Sequence, residues 1–210
     1  MTLLARAPCP VDAPLRLGVL VSGGGLNLQA ILDAARDPER RLRVSVVVSN
    51  VEGVKALDRA QDAGVDTAVE THRGRTREAF EDAVHARLAA HDVEIVVLAG
   101  FLRVLTENFL ARWPRRVVNV HPALSPAFPG MHAAQQALTY GAKITGCTVH
   151  IVDAGVDTGP ILAQAAVPVF GDDDEASLHT RIQREEHRLL PTVLSAIARG
   201  TEAKLSRVAS

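Results

Sequence analysis

Short apolar runs punctuate this chain, and between them apolar residues recur every three or four positions. Leu15–Val21, Val44–Val48, Glu94–Leu98 and Val117–Val120, with a weaker stretch at Thr67–Val69, have the length and β-branched content of strands. Thr145–Val152 and Ile161–Val169 add two more strands near the C-terminus. Leu28–Ala35, Val54–Ala63 and Arg75–Ala90 carry helical periodicity, and a further helix is expected near Met131–Tyr140. Gly64 and the pair Ala99-Gly100 mark breaks between elements. The acidic run Asp172–Glu175 precedes a long helical stretch to about Arg199, and negative charge suits the positive end of a helix dipole. Strands alternating with helices predict an α/β domain with a mostly parallel sheet. One domain is expected over residues 15–210, preceded by a mobile leader over residues 1–14 with prolines at 8, 10 and 14.

Length and charge narrow the function classes. The chain has 210 residues, enough to bury a sizeable core, and its 47% hydrophobic and 22% charged content reads as soluble and globular. Lys plus Arg number 23 against 24 Asp plus Glu, and the cations are spread along the chain, which argues against a nucleic-acid partner. No apolar run is long enough for a signal peptide or a membrane span. Cys9 and Cys147 lack the spacing of a zinc site or disulfide framework, so no metal is expected and a reduced cytoplasm fits.

Candidate chemistry centres on Asn119-Val120-His121-Pro122. Residues two apart on a strand share a face, so Asn119 and His121 point the same way, roughly 7 Å apart along the strand. Pro122 pushes His121 towards extended geometry. An amide with two N–H groups beside an imidazole that moves a proton suits acyl transfer. Asp153-Ala154-Gly155-Val156-Asp157-Thr158-Gly159-Pro160 reads either as an ordinary hairpin turn or as a loop that brings a carboxylate to His121, favouring the imidazolium. Ser22-Gly23-Gly24-Gly25-Leu26-Asn27 feeds a helix and reads either as a phosphate-binding turn or as a tight turn without ligand. It lacks the third glycine of a dinucleotide fingerprint and the Lys-Ser/Thr of a P-loop. Gln183, Glu186 and His187 share a helix face, which by spacing alone is a solvated stripe. His72, His85 and His91 read as surface residues.

Together these segments resemble the folate-dependent formyltransferases. The resemblance rests on Ser22-Gly-Gly-Gly-Leu-Asn-Leu-Gln-Ala30, Val97-Leu-Ala-Gly-Phe-Leu-Arg-Val-Leu105, Asn119-Val-His-Pro-Ala-Leu-Ser-Pro126, Phe128-Pro-Gly130 and Asp157-Thr-Gly-Pro-Ile-Leu162. It implies a Rossmann-like fold with helices on both sheet faces. It also implies transfer of a formyl group from 10-formyltetrahydrofolate, as co-substrate and without a metal, to the amine of glycinamide ribonucleotide in de novo purine synthesis. By the same resemblance His121 moves protons, Asn119 helps hold the formyl oxygen and Asp157 orients His121. The ribonucleotide falls to Gly25, Leu26, Asn27, Gln183, Arg184, Glu185 and Glu186. The formylfolate falls to Arg77, Leu102, Arg103, Val104, Leu105, Asn119, Asp153, Ala154, Gly155, Val156 and Asp157. The N-terminal half is then phosphate-binding and the C-terminal half folate-binding and catalytic, in a monomer or homodimer with small-molecule substrates.

This chain departs from that pattern at Leu26, where the family usually carries Ser, and at Ala123 and Ser125 in the His-Pro loop. Formyltetrahydrofolate hydrolase is the near alternative, though it usually carries His-His where this chain has His121-Pro122. It usually has a regulatory domain before this one, and the formyltransferase acting on methionyl-tRNA adds an RNA-binding domain after it; this chain is expected to hold neither. A non-catalytic nucleotide-binding α/β protein would need the glycine turn but not Asn119, His121 and Asp157 together.

Overall fold

The computed structural model describes residues 13–202 and Leu205, so most of the expected leader, with Cys9, lies outside the described residues. The chain runs β1 (Leu15–Val21), α1 (Leu26–Ala35), β2 (Leu42–Ser49), α2 (Lys55–Asp62), β3 (Asp66–Val69), α3 (Arg77–Ala90) and β4 (Ile95–Leu98). It continues through α4 (Glu107–Arg112), β5 (Val117–His121), α5 (Ala133–Tyr140), β6 (Ile144–Ile151), β7 (Ile161–Pro168) and α6 (Glu175–Ala198). The sheet order is β3-β2-β1-β4-β5-β6-β7. The first five of these strands pair in parallel, whereas β6 runs antiparallel to β5 and β7 antiparallel to β6. This is the α/β architecture expected from the apolar pattern.

Strand alternation divides the core. Val19, Val21, Val118, Val120, Cys147 and Val149 pack with Leu28, Ile31, Ile182 and Leu190 of α1 and α6. Leu20, Val96, Leu98 and Val117 face the other way, against Phe80, Val84 and Leu88 of α3 and Phe109 of α4. The acidic run does open α6: Asp174 accepts from the Ser177 N–H at 2.8 Å, and the Asp174 N–H donates to Ser177 Oγ at 3.1 Å.

Three details differ from expectation. Helix α4 was not anticipated, since its six residues are too short to show a period; Thr106 caps it by accepting from the Phe109 N–H at 3.2 Å. Strand β5 extends one residue further, because His121 still pairs with Thr148 of β6. His72, His85 and His91 are all half-buried, the first two with their rings edge-on to Phe80 and Trp113. Burial, then the Arg112 charge, holds the His85 imidazole below its usual value.

Among the described residues no helix is long and apolar enough to cross a membrane.

Candidate active site

Asn119 and His121 continue the row begun by Val117, on the sheet face covered by α3 and α4. Past the reach of those helices, a cleft of about 500 Å³ opens at the carboxyl ends of β4 and β5. Its size is ordinary for a small-molecule site, and its place is where open α/β sheets bind ligands.

The loop after β6 folds back over β5 and delivers Asp157. Asp153 shapes it by accepting from the Gly155 N–H at 3.1 Å and from Thr158 Oγ1 at 2.7 Å. Asp157 itself stands at φ 56, a left-handed conformation that a residue with a side chain rarely adopts. Its Oδ2 accepts from the Gly130 N–H at 2.9 Å and lies 3.3 Å from His121 Nδ1. Its Oδ1 accepts from Asn119 Nδ2 at 3.3 Å. His121 Nε2 stands 2.8 Å from the Phe128 carbonyl oxygen. Both His121 nitrogens therefore face acceptors, and making both bonds at once requires a proton on each. Ser125-Pro126, in the loop that carries Phe128, is cis.

Sequence reasoning missed His150. It is the β6 residue opposite Asn119, it is buried, and its Nε2 lies 3.2 Å from Asn119 Nδ2 and 3.5 Å from Asp157 Oδ1. A histidine between Val149 and Ile151 in a buried strand was the available signal, but only the pairing of β6 with β5 brings it to the site. Burial alone would raise the Asp157 carboxyl. The His150 side chain, the Gly130 N–H and the His121 charge outweigh that, and the carboxyl is held below its usual range.

The far wall comes from α1 and α6. Asn27, Gln183 and Glu186 line the cleft, joined by His179 one turn earlier and by His132 from the start of α5. Asn27 Nδ2 donates to Glu186 Oε2 at 2.8 Å, while Asn27 Oδ1 is buried without a partner among the described residues. Glu186 is 4% exposed, and burial pushes its carboxyl up against the opposing Asn27 bond. The structure does not bring Arg184 and Glu185 to the cleft. With 3.6 residues per turn, only every third or fourth residue of α6 can face it. Arg184 is exposed, and Glu185 accepts from Arg188 at 2.7 Å on the outer surface. Gly25 and Leu26 form the turn beside the cleft rather than its lining, and Gly25 stands at φ 71.

Residues 101–105 make the opposite rim and are pinned along their length. The Leu102 N–H donates to Ser22 Oγ at 2.9 Å, and Arg77 donates to the Val104 carbonyl oxygen. Buried Glu81 accepts from the Thr106 N–H at 2.9 Å. Leu102, Arg103, Val104 and Leu105 all line the cleft, so Arg77 braces this segment from behind. Leu102 and Met131 are 71% and 69% exposed, and with Val104 and Val156 they give the mouth an apolar surface. A flat aromatic ligand would cover such a surface. Asp153 and Gly155 also line the cleft, whereas Ala154 is turned to solvent.

The family model described as formyl transferase matches residues 15–194 of this chain. A protein of Mycobacterium tuberculosis named phosphoribosylglycinamide formyltransferase is 46% identical over 194 residues, covering 90% of this chain and 87% of the relative. The trifunctional purine biosynthetic protein adenosine-3 of Drosophila melanogaster is 47% identical over 189 residues. That match covers 89% of this chain but only 14% of the fly protein, so the chain spans a small part of that relative. Among solved structures, glycinamide ribonucleotide transformylase 1 of Symbiobacterium toebii is similar with a TM-score of 0.87 and 47% identity, over 89% of both chains.

Proposed function

This chain belongs to the formyl transferase family, and from that premise we propose that it transfers the formyl group of 10-formyltetrahydrofolate to the amine of glycinamide ribonucleotide. The products are formylglycinamide ribonucleotide and tetrahydrofolate, a step of purine synthesis. The observation that carries the reading is the meeting of Asn119, His121 and Asp157 beneath an apolar-rimmed cleft whose far wall holds Asn27 and Glu186.

The ribonucleotide lies along α1 and α6, its phosphate at the Gly25-Leu26-Asn27 turn and its amine towards Glu186 and Gln183. The formylfolate ring lies against Leu102 to Leu105 and the loop Asp153 to Asp157. The N-terminal half thus holds phosphate and the C-terminal half holds folate and performs the chemistry. When the amine attacks the formyl carbon, negative charge develops on the formyl oxygen. Asn119 donates to it by exchanging the His150 or Asp157 partner of one N–H, and one such donor is typically worth ~3 kcal/mol. The amine must lose a proton and the folate nitrogen must gain one. His121, held between Asp157 and the Phe128 carbonyl, relays that proton. Asp157 keeps the imidazole oriented and stabilises its positive charge. The reading needs neither a covalent enzyme intermediate nor a metal, and it places a monomer or homodimer in the cytoplasm.

Incubation with 10-formyltetrahydrofolate, with and without glycinamide ribonucleotide, tests it. Tetrahydrofolate released only when the ribonucleotide is present supports the transferase. Equal release without it would replace this reading by the hydrolase.

A further inference from the structure

Helix α2 grips the glycine turn at two successive carbonyl oxygens. The Ala56 N–H donates to Gly23 O at 3.2 Å, and Arg59 Nε donates to Gly24 O at 2.9 Å. The Arg59 guanidinium is braced in turn, since its Nη1 donates to Gln29 Oε1 at 3.0 Å. In a trans peptide the carbonyl and the following N–H point in opposite directions. Both grips therefore aim an N–H, that of Gly24 and that of Gly25, away from α2.

Both peptides join two glycines, so no flanking Cβ resists their rotation, and the second, Gly24-Gly25, is the one whose carbonyl oxygen Arg59 holds. A Cβ built at Gly24 would meet nothing within 4 Å among the described residues, whereas one at Gly25 would come 2.7 Å from Ala56 Cβ, so close packing holds the Gly25 side and leaves the Gly24 side to the Arg59 bond. Flipped, the peptide would present a carbonyl oxygen where an anion expects an N–H. The adjoining helix offers no substitute: Gly25 is its N-cap without a side-chain bond, and Leu26 carries no hydroxyl. Its first turn holds no acidic residue, so backbone N–H groups are what the turn offers an anion.

We propose that Arg59 is a positioning residue that locks the Gly24-Gly25 peptide with its N–H presented to the substrate phosphate. The proposal rests on the phosphate assignment made above and adds the residue that makes the turn competent. Arg59 acts through the peptide it holds, and Gln29 acts through Arg59.

The test compares full-length wild type, Arg59→Met and Gln29→Met with glycinamide ribonucleotide, with its dephosphorylated ribonucleoside, and with inorganic phosphate as a competitive inhibitor. Arg59→Met is expected to raise KM for the ribonucleotide about tenfold, the size of one lost charge-assisted hydrogen bond. Its kcat and its KM for formylfolate stay unchanged, the ribonucleoside is used as well as by wild type, and inorganic phosphate inhibits more weakly. Gln29→Met keeps the charge, so a smaller shift in the same direction assigns the effect to positioning. An equal loss on both substrates, or a Gln29→Met that matches wild type, overturns the proposal. Wild-type protein inactive with both substrates would refute the proposed reaction instead, and binding of inorganic phosphate to Arg59→Met, measured by calorimetry, would still decide the role of Arg59.

Discussion

Asn119 and His150 are direct register partners across the antiparallel β5–β6 pair, and their side-chain nitrogens stand 3.2 Å apart. His150 Nδ1 lies 3.1 Å from the Ile151 carbonyl oxygen, which holds the ring so that Nε2 faces both the Asn119 amide and the Asp157 carboxylate. His150 thus fixes which way the Asn119 amide faces. His150→Leu should lower kcat about tenfold or more while sparing KM for the ribonucleotide, because a small misplacement of a reacting group is costly. Steady-state kinetics check this, and an unchanged kcat would remove His150 from the site.

His121→Ala should lower turnover by at least about 10²-fold, the usual scale for loss of an acid/base group. Formylfolate binding, measured by calorimetry, should be largely kept, since Leu102 and Met131 supply the apolar surface. Near-normal turnover would mean that some other group moves the proton.

Glu186 links the site to pH-dependent stability. Burial raises its carboxyl above the ordinary value of 4.5, with the Asn27 bond opposing. A carboxyl raised in the folded state contributes fully below the unfolded value, and that contribution is lost as pH rises through the folded one. Glu186→Gln removes the titration, so its Tm should gain on wild type as pH rises above the ordinary carboxyl value of 4.5. Thermal melts at pH values below and above 4.5 check the sign, and ribonucleotide affinity should fall in the same variant. A Tm difference independent of pH would show that Glu186 does not titrate differently on folding.

Leu26→Ser should lower KM for the ribonucleotide, because it adds a hydroxyl at the start of α1 where the phosphate is proposed to lie. An unchanged KM would mean that the backbone N–H groups already supply all that the phosphate uses.

Local pattern carried most of the architecture. Residues such as Val117, Val118 and Val120 announce a buried strand by composition, and parity alone put Asn119 and His121 on one face. What it could not carry was anything decided between elements. His150 joins the site only because β6 turns antiparallel beside β5, and Arg59 reaches Gly24 only because α2 packs across the β1 turn. Arg184 and Glu185 are the opposite case, since the helix turns both away from the cleft lining. A contiguous stretch of α6 was expected at the cleft, yet the helical period admits only Gln183 and Glu186 of the four.

The two-residue period of β5 has a consequence for how such a site can change over evolutionary time. One residue inserted between Val117 and Asn119 would rotate the amide and imidazole into the layer beneath α6 and send valines to meet the substrate. Two inserted residues would restore the facing. The flanking loops can drift in length one residue at a time, but this strand can change only in even steps, so it transmits the chemistry as an indivisible unit.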